Sequence, residues 1–501
     1  MQRCQSGLSC SLGTAVYGNV PRVRIPVSAP NTKKKSQNQS GFSFLFCLLV
    51  QWQTICLLYL QYTNLDYANK KYKIVYYFVK ERNMNKINPF YEKKAISVDK
   101  FLSVDEYSPK SYNKSTTSPY TKTRVILLNG AEFEQSWFLH QFQRNCNNND
   151  LRRDIALIRR HEQHQQKCIS GLKPVDESDL ETTISYEQLA IDLTAILARH
   201  VKDDYVKNAL NFALLEDFDH LYRFANLLES EQGIDANSLT GGYTEITPGR
   251  PTIAEPRHPF DEINRHIAKE LADPFTKLVV SIITAAEQQT MNYYMNIAGF
   301  HGTEIGKKLY SEIAMIEEQH VTEYGSLMDT TCSWLENWLV HEYTECYLYY
   351  SCFEDETDPY IKDIFYKRYL EECGHLQYVA KLLEKYEGKP WQAVYTCGGD
   401  FPDLLKFEGN IDYIRGVLNK TINYTRNKED YILLNDLSDK ANYFAYQKAN
   451  IKKPEKLPSH IVITNHIKQF GKDYRFETKK NPVPSLQDRT VDNINVGRKK
   501  Q

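Results

Sequence analysis

Two tetrapeptides of the form Glu-x-x-His, Glu317-Glu-Gln-His320 and Glu372-Cys-Gly-His375, restrict this chain more than any other feature. On a helix, residues i and i+3 share a face, so each tetrapeptide aims a carboxylate and an imidazole at one point. Chance alone produces about one such pair in a chain of this length. The surrounding spacing is not accounted for by chance. Glu287 precedes Glu317 by 30 residues, Glu342 precedes Glu372 by 30, and the second set trails the first by 55 at both positions.

Each of these glutamates shares its helical face with apolar residues. Glu287 lies with Ile283, Met291 and Tyr294, and Glu317 with Ile313, Val321 and Tyr324. Glu342 lies with Leu335, Trp338 and Cys346, and Glu372 with Phe365, Leu376 and Val379. An acid on an apolar face is costly unless it is paired, protonated or bound to metal. The expectation is a buried two-cation site in which four helices supply Glu287, Glu317, His320, Glu342, Glu372 and His375, one Glu from each of two helices and Glu-x-x-His from the others. Glu345 lies near the same face and can replace or supplement Glu342.

Plentiful charge (25%) and only 22 glycines in 501 residues suit an all-α chain. The net charge of -1 supplies no field to recruit nucleic acid. Eleven cysteines form no CxxC pair, which excludes the usual four-cysteine zinc or iron site, and a reducing cytoplasm is the simplest setting. Residues 1–83 differ from the rest. They contain an apolar stretch, Gly41–Tyr62, readable as a membrane anchor, an uncleaved targeting segment, or translation from a start placed too early. Met84 reads as the better start, so 1–83 stand outside the expected fold, with membrane association expected only if 41–62 is genuine.

Residues 84–128 read as an irregular lead-in. Helical pattern is expected over 129–230, in segments starting near Gly130, Asp150, Ile184 and Asp203. A loop-rich crossover follows over 231–272, then helices starting at Asp273-Pro274 and near Gly306, Thr331 and Asp358-Pro359, over 273–388. Residues 389–501 form a mixed extension. Subtracting 155 from the first four glutamate positions lands on Glu132, Glu162, Glu187 and Asp217, the last opening Asp217-Phe-Asp-His220. This marks a duplicated four-helix unit. Strict spacing gives Glu162-Gln-His-Gln165; a shift of one residue gives His161-Glu-Gln-His164, which keeps better ligands and is preferred. A second metal site is therefore sketched at Glu132, His161, Glu162, His164, Glu187, Asp217 and His220.

On these residues the chain resembles the ferritin-like superfamily, particularly rubrerythrin-like and manganese-catalase-like proteins, strongly over 273–388 and more weakly over 130–230. The resemblance implies two tandem ferritin-like four-helix bundles, a working site in the second and a degenerate one in the first. It implies Glu317 and Glu372 as bridging carboxylates, Glu287 and Glu342 as terminal ones, and His320 and His375 as one nitrogen ligand per metal. The cofactor expected is two iron ions, or manganese, in the C-terminal bundle, with further metal in the first bundle left open. The function implied is oxidoreduction of peroxide or dioxygen with an unknown electron donor; iron storage and a structural role around a vestigial site are the alternatives. Tyr293, Tyr294, Tyr349 and Tyr350 read as core residues or donors to ligands, Cys373 as a buried spacer, and the Thr247–Asp261 loop with Arg250, Arg257 and His258 as an ordered crossover.

Overall fold

Capping chemistry sets where the helices of this chain begin. The computed structural model describes residues 87–471, 481, 483–487 and 491–499; the apolar segment 41–62 lies outside them. The first four long helices are α1 (Pro119–Asn145), α2 (Asn149–Ser170), α3 (Asp179–His200) and α4 (Asp204–Gln232). After the short α5 (Ala236–Thr240) come α6 (Pro274–Ile297), α7 (Glu304–Gly325), α8 (Trp334–Asp355) and α9 (Pro359–Glu387). Ser178 and Ser333 open α3 and α8 with capping boxes to Glu181 and Glu336. Asp203, Asp273 and Asp358 accept first-turn N–H groups of α4, α6 and α9.

The caps carry the duplication in full. N-caps pair as Ser118 with Asp273, Asn148 with Thr303, Ser178 with Ser333 and Asp203 with Asp358, each 155 residues apart. Left-handed glycines, Gly233 and Gly388, close α4 and α9 at the same offset. The expected start that fails furthest is the first: α1 begins at Pro119, not near Gly130, so the lead-in ends earlier than its composition indicates; α3 also begins at Asp179, ahead of the expected Ile184. Polar Thr121, Lys122, Thr123 and Arg124 disguise a buried first turn, where Arg124 pairs with Asp355 and Glu356 on and beyond α8.

Helix pairing departs from the tandem arrangement. The four hairpins are α1–α2, α3–α4, α6–α7 and α8–α9, and the first packs on the fourth while the second packs on the third. α1 also runs along α6 and α3. Residues 129–230 and 273–388 are therefore not two consecutive domains; both lie within one compact unit, Tyr72–Gln501. Each set of four helices takes one hairpin from each half of the duplication.

The flanking segments are ordered against these helices. Ile96 donates its N–H to the Leu370 carbonyl at 2.8 Å, laying the lead-in along α9. A Cβ on Gly374 would stand 1.8 Å from the Ile96 carbonyl oxygen, so glycine is what permits this approach. At the other end, α10 (Ile411–Thr421), an antiparallel pair β1 (Tyr424–Asn427) and β2 (Asp430–Leu433), α11 (Asn442–Asn450) and α12 (Pro458–Phe470) complete the chain. α12 packs across α4 and α7. Among the described residues no helix is long and apolar enough to cross a membrane.

Candidate metal centres

The nested pairing decides which acids meet. The six residues expected at one point divide between two buried clusters. Glu287, Glu317 and His320 join Asp217, with Glu187 and His220 alongside. Glu342, Glu372 and His375 join Glu162, with Glu132 and Glu345 alongside. The one-site expectation is thus corrected: the two Glu-x-x-His helices α7 and α9 lie in different sets of four, so their ligands cannot converge.

The first cluster draws one or more residues from each of α3, α4, α6 and α7. His320 Nδ1 faces three carboxylates: Asp217 at 3.2 Å, Glu317 at 3.3 Å and Glu287 at 3.7 Å. His320 Nε2 lies 2.9 Å from Glu216. Burial raises the Glu216 carboxyl, but Arg257, His320 and Arg250 more than offset this and hold it down at about 2. An ionised Glu216 requires Nε2 to donate, which turns the Nδ1 lone pair of the neutral ring toward the three acids. His220 repeats the geometry, with Nε2 3.0 Å from buried Glu255 and Nδ1 3.0 Å from Glu317, but there burial pushes the Glu255 carboxyl up to about 8 against the pull of His220. Glu317 belongs to both ligand groups, Asp217–Glu287–Glu317–His320 and Glu187–His220–Glu317. Glu317 therefore stands between the two groups.

The charges of this cluster are poorly balanced within the protein. Both oxygens of Glu287 and of Asp217 lack hydrogen-bond partners, although each residue is almost wholly buried. Burial, then the charge of Asp217, pushes Glu287 well above the ordinary carboxylate range. Burial likewise raises Glu187, whose Oε1 accepts from Tyr294 Oη at 2.5 Å. Burial lowers His320 and His220, but the surrounding carboxylates more than reverse it. Orphaned oxygens and imidazole nitrogens converging in a dry interior could hold a divalent cation.

The second cluster is built from α1, α2, α8 and α9. His375 Nδ1 lies 3.1 Å from Glu162, 3.3 Å from Glu372 and 3.8 Å from Glu342. Glu162 is shared between Glu162–Glu342–Glu372–His375 and Glu132–Glu162–Glu345. Trp338 and Gln135 donate to Glu342 at 2.6 and 2.7 Å, and Tyr349 donates to Glu132 at 2.5 Å. Burial, then Glu372, pushes Glu162 up to about 7.

The preference for the shifted tetrapeptide is also corrected. Glu162 and Gln165 face the cluster, as strict spacing places them, Gln165 donating to Glu372 at 2.5 Å. His161 turns its Nε2 to the Val98 carbonyl at 2.7 Å and stacks on Phe101, while His164 packs beside Phe101 and Tyr107. Glu187, Asp217 and His220 do join a buried cluster, but with Glu287, Glu317 and His320 rather than with Glu132 and Glu162. The pairing assigned to Glu317 and Glu372 as joint bridges falls with the single site.

Sequence reasoning missed Glu216, Glu255 and the two arginines behind them. Arg257 Nη1 pairs with Glu216, its Nη2 lies 3.5 Å from Glu323, and Arg426 Nη1 reaches Glu323 at 2.7 Å. The Thr247–Asp261 loop is therefore an ordered crossover that also orients both histidines of the first cluster. Its buried charges were visible as Arg250, Glu255 and Arg257, but nothing in their spacing names their partners. No protein-family model, curated protein or solved structure matches the chain.

Proposed function

We propose that the first cluster holds two divalent metal ions, iron in the leading case, in a ferritin-like four-helix bundle, and that the protein is an oxidoreductase acting on peroxide or dioxygen. The observation that carries this reading is Glu317, shared by two ligand groups, each supplied with one histidine whose far nitrogen rests on a buried carboxylate. Carboxylate backing of this kind fixes a ligating imidazole's tautomer and strengthens its donor nitrogen.

Redox-active ions held by Glu187, Asp217, His220, Glu287, Glu317 and His320 would supply the electrons for reducing an oxygen–oxygen bond. The protein's own part is positional. Glu216 and Glu255 keep His320 and His220 turned inward, Arg257 holds Glu216, and Tyr294 fixes Glu187. The cluster is fully enclosed by helices and crossover, which excludes bulk water from it. Four ligand carboxylates (Glu187, Asp217, Glu287, Glu317) offset the charge of two divalent ions. The cluster is thus matched in charge as well as in donor type.

The test is elemental analysis of the purified chain beside Glu317→Ala/His320→Ala. Wild type is expected to carry two ions at this centre and the variant to lose both. A folded variant with unchanged metal content would end the reading. Peroxide and dioxygen consumption, assayed with a chemical reductant, then separates turnover from simple metal retention.

A further inference from the structure

The second cluster departs from the first in a directed way. By the 155-residue offset, Gln165 on α2 stands where α7 carries His320, and Glu345 on α8 stands where α3 carries Ala190. One position has lost its nitrogen donor and gained a carboxylate. Its three acids, Glu132, Glu162 and Glu345, come from α1, α2 and α8 with oxygens all within 4.8 Å of one another.

We propose that this cluster is a metal centre in its own right, and that its Glu132–Glu162–Glu345 position takes a hard, oxygen-ligated divalent cation of the Mn²⁺ class. Both Glu345 oxygens, Glu162 Oε2 and one Glu132 oxygen have no hydrogen-bond partner, while Glu162 Oε1 faces His375 Nδ1 at 3.1 Å. Outside the acids themselves, the Gln165 amide oxygen is also buried and unpartnered while its nitrogen is held on Glu372. No lysine or arginine among the described residues pairs with Glu132, Glu162, Glu342, Glu345 or Glu372; the one cationic partner is His375. A dry pocket offering only carboxylate and amide oxygens suits Mn²⁺, Mg²⁺ or Ca²⁺, whereas the nitrogen-bearing positions suit iron or zinc. The chain then holds two centres of unlike preference, built from one duplicated element. This inference does not require the first centre to be redox-active.

The experiment loads the full chain, stripped by chelation, with Mn²⁺ alone and reads metal content and the Mn²⁺ paramagnetic resonance spectrum. Glu345→Gln, which keeps side-chain volume, is expected to lose about one Mn²⁺ per chain from an oxygen-only position. Glu317→Ala/His320→Ala is expected to keep that ion while emptying the first centre. Gln165→His is expected to shift the position toward Zn²⁺ by roughly tenfold in competition, since imidazole favours zinc. Circular dichroism checks the fold of each variant. The proposal is overturned if folded Glu345→Gln keeps the full Mn²⁺ content, or if Gln165→His leaves the Mn²⁺/Zn²⁺ preference unmoved. It also falls if the first-centre double variant binds no Mn²⁺ at all. Wild type that, offered Fe²⁺ beside Mn²⁺, loads only the second centre would instead sink the first-centre reading and leave this one standing.

Discussion

His161 and Glu162 are neighbours on α2, yet one holds the lead-in backbone and the other is shared by two buried groups of acids. A helix advances its faces by about 100° per residue, so a register shift of one exchanges a ligand for a packing residue. His161→Ala should therefore leave metal content unchanged while loosening the lead-in; loss of metal in that variant would reinstate the shifted motif. Glu255 works at the same scale. Replacing its carboxyl with an amide, Glu255→Gln, should weaken metal affinity at the His220 position by about 10- to 100-fold, as loss of a ligand's buried partner does. Equilibrium dialysis checks it, and an affinity within twofold of wild type would argue against the backing role. Gly374→Ala should destabilise the chain by about 1–3 kcal/mol, because its methyl must push the Ile96 carbonyl away from α9. The denaturant midpoint measures this.

Between elements, buried polar groups act as the fasteners that apolar periodicity does not report. Asp192 on α3 accepts from Tyr120 on α1 at 3.1 Å, from Thr244 in the crossover at 2.7 Å and from Asn410, the N-cap of α10, at 3.4 Å. Burial pushes its carboxyl up to about 7 against the pull of those donors. The folded chain therefore binds a proton there that the unfolded chain releases near the ordinary value of 3.8. The folded state holds more protons across that window, so this group's stabilisation is fullest below about pH 4 and is lost as pH rises toward 7. Asp192→Asn should flatten the fall by up to about 1.4 kcal/mol per pH unit. Unfolding free energies at pH 5 and 7 decide it: an unchanged slope would show that Asp192 does not titrate between them. Tyr294 and Tyr349 follow a rule legible in the chain. Each lies seven residues after a cluster glutamate, Glu287 or Glu342, and donates to the glutamate of the facing hairpin, Glu187 or Glu132.

At the scale of the molecule, the nested pairing makes each half of the duplication incomplete. A fragment spanning 273–388 carries α6–α9 but lacks Glu187, Asp217 and His220 of the first cluster and Glu132 and Glu162 of the second, and it exposes the faces that α1–α4 cover. It should neither fold stably nor bind metal alone, and co-expression with 84–232 should restore both centres. Metal bound stoichiometrically by the isolated fragment would restore the tandem arrangement.

Helix number, most boundaries, the duplication and the ligand types could all be read from the chain, because caps, apolar faces and Glu-x-x-His spacing are local properties. The start of α1 was readable too, had the offset of 155 been carried from Pro274 back to Pro119 against a polar-looking first turn. What only the tertiary structure decided is which hairpin faces which, and with it the division of the six expected ligands between two centres. Spacing along a helix states which side chains share a face, but two hairpins with equally apolar faces can pair within a repeat or across it. Packing of α1 along α6 and α3, and the buried charges that crossover and lead-in bring to the helices, select the second.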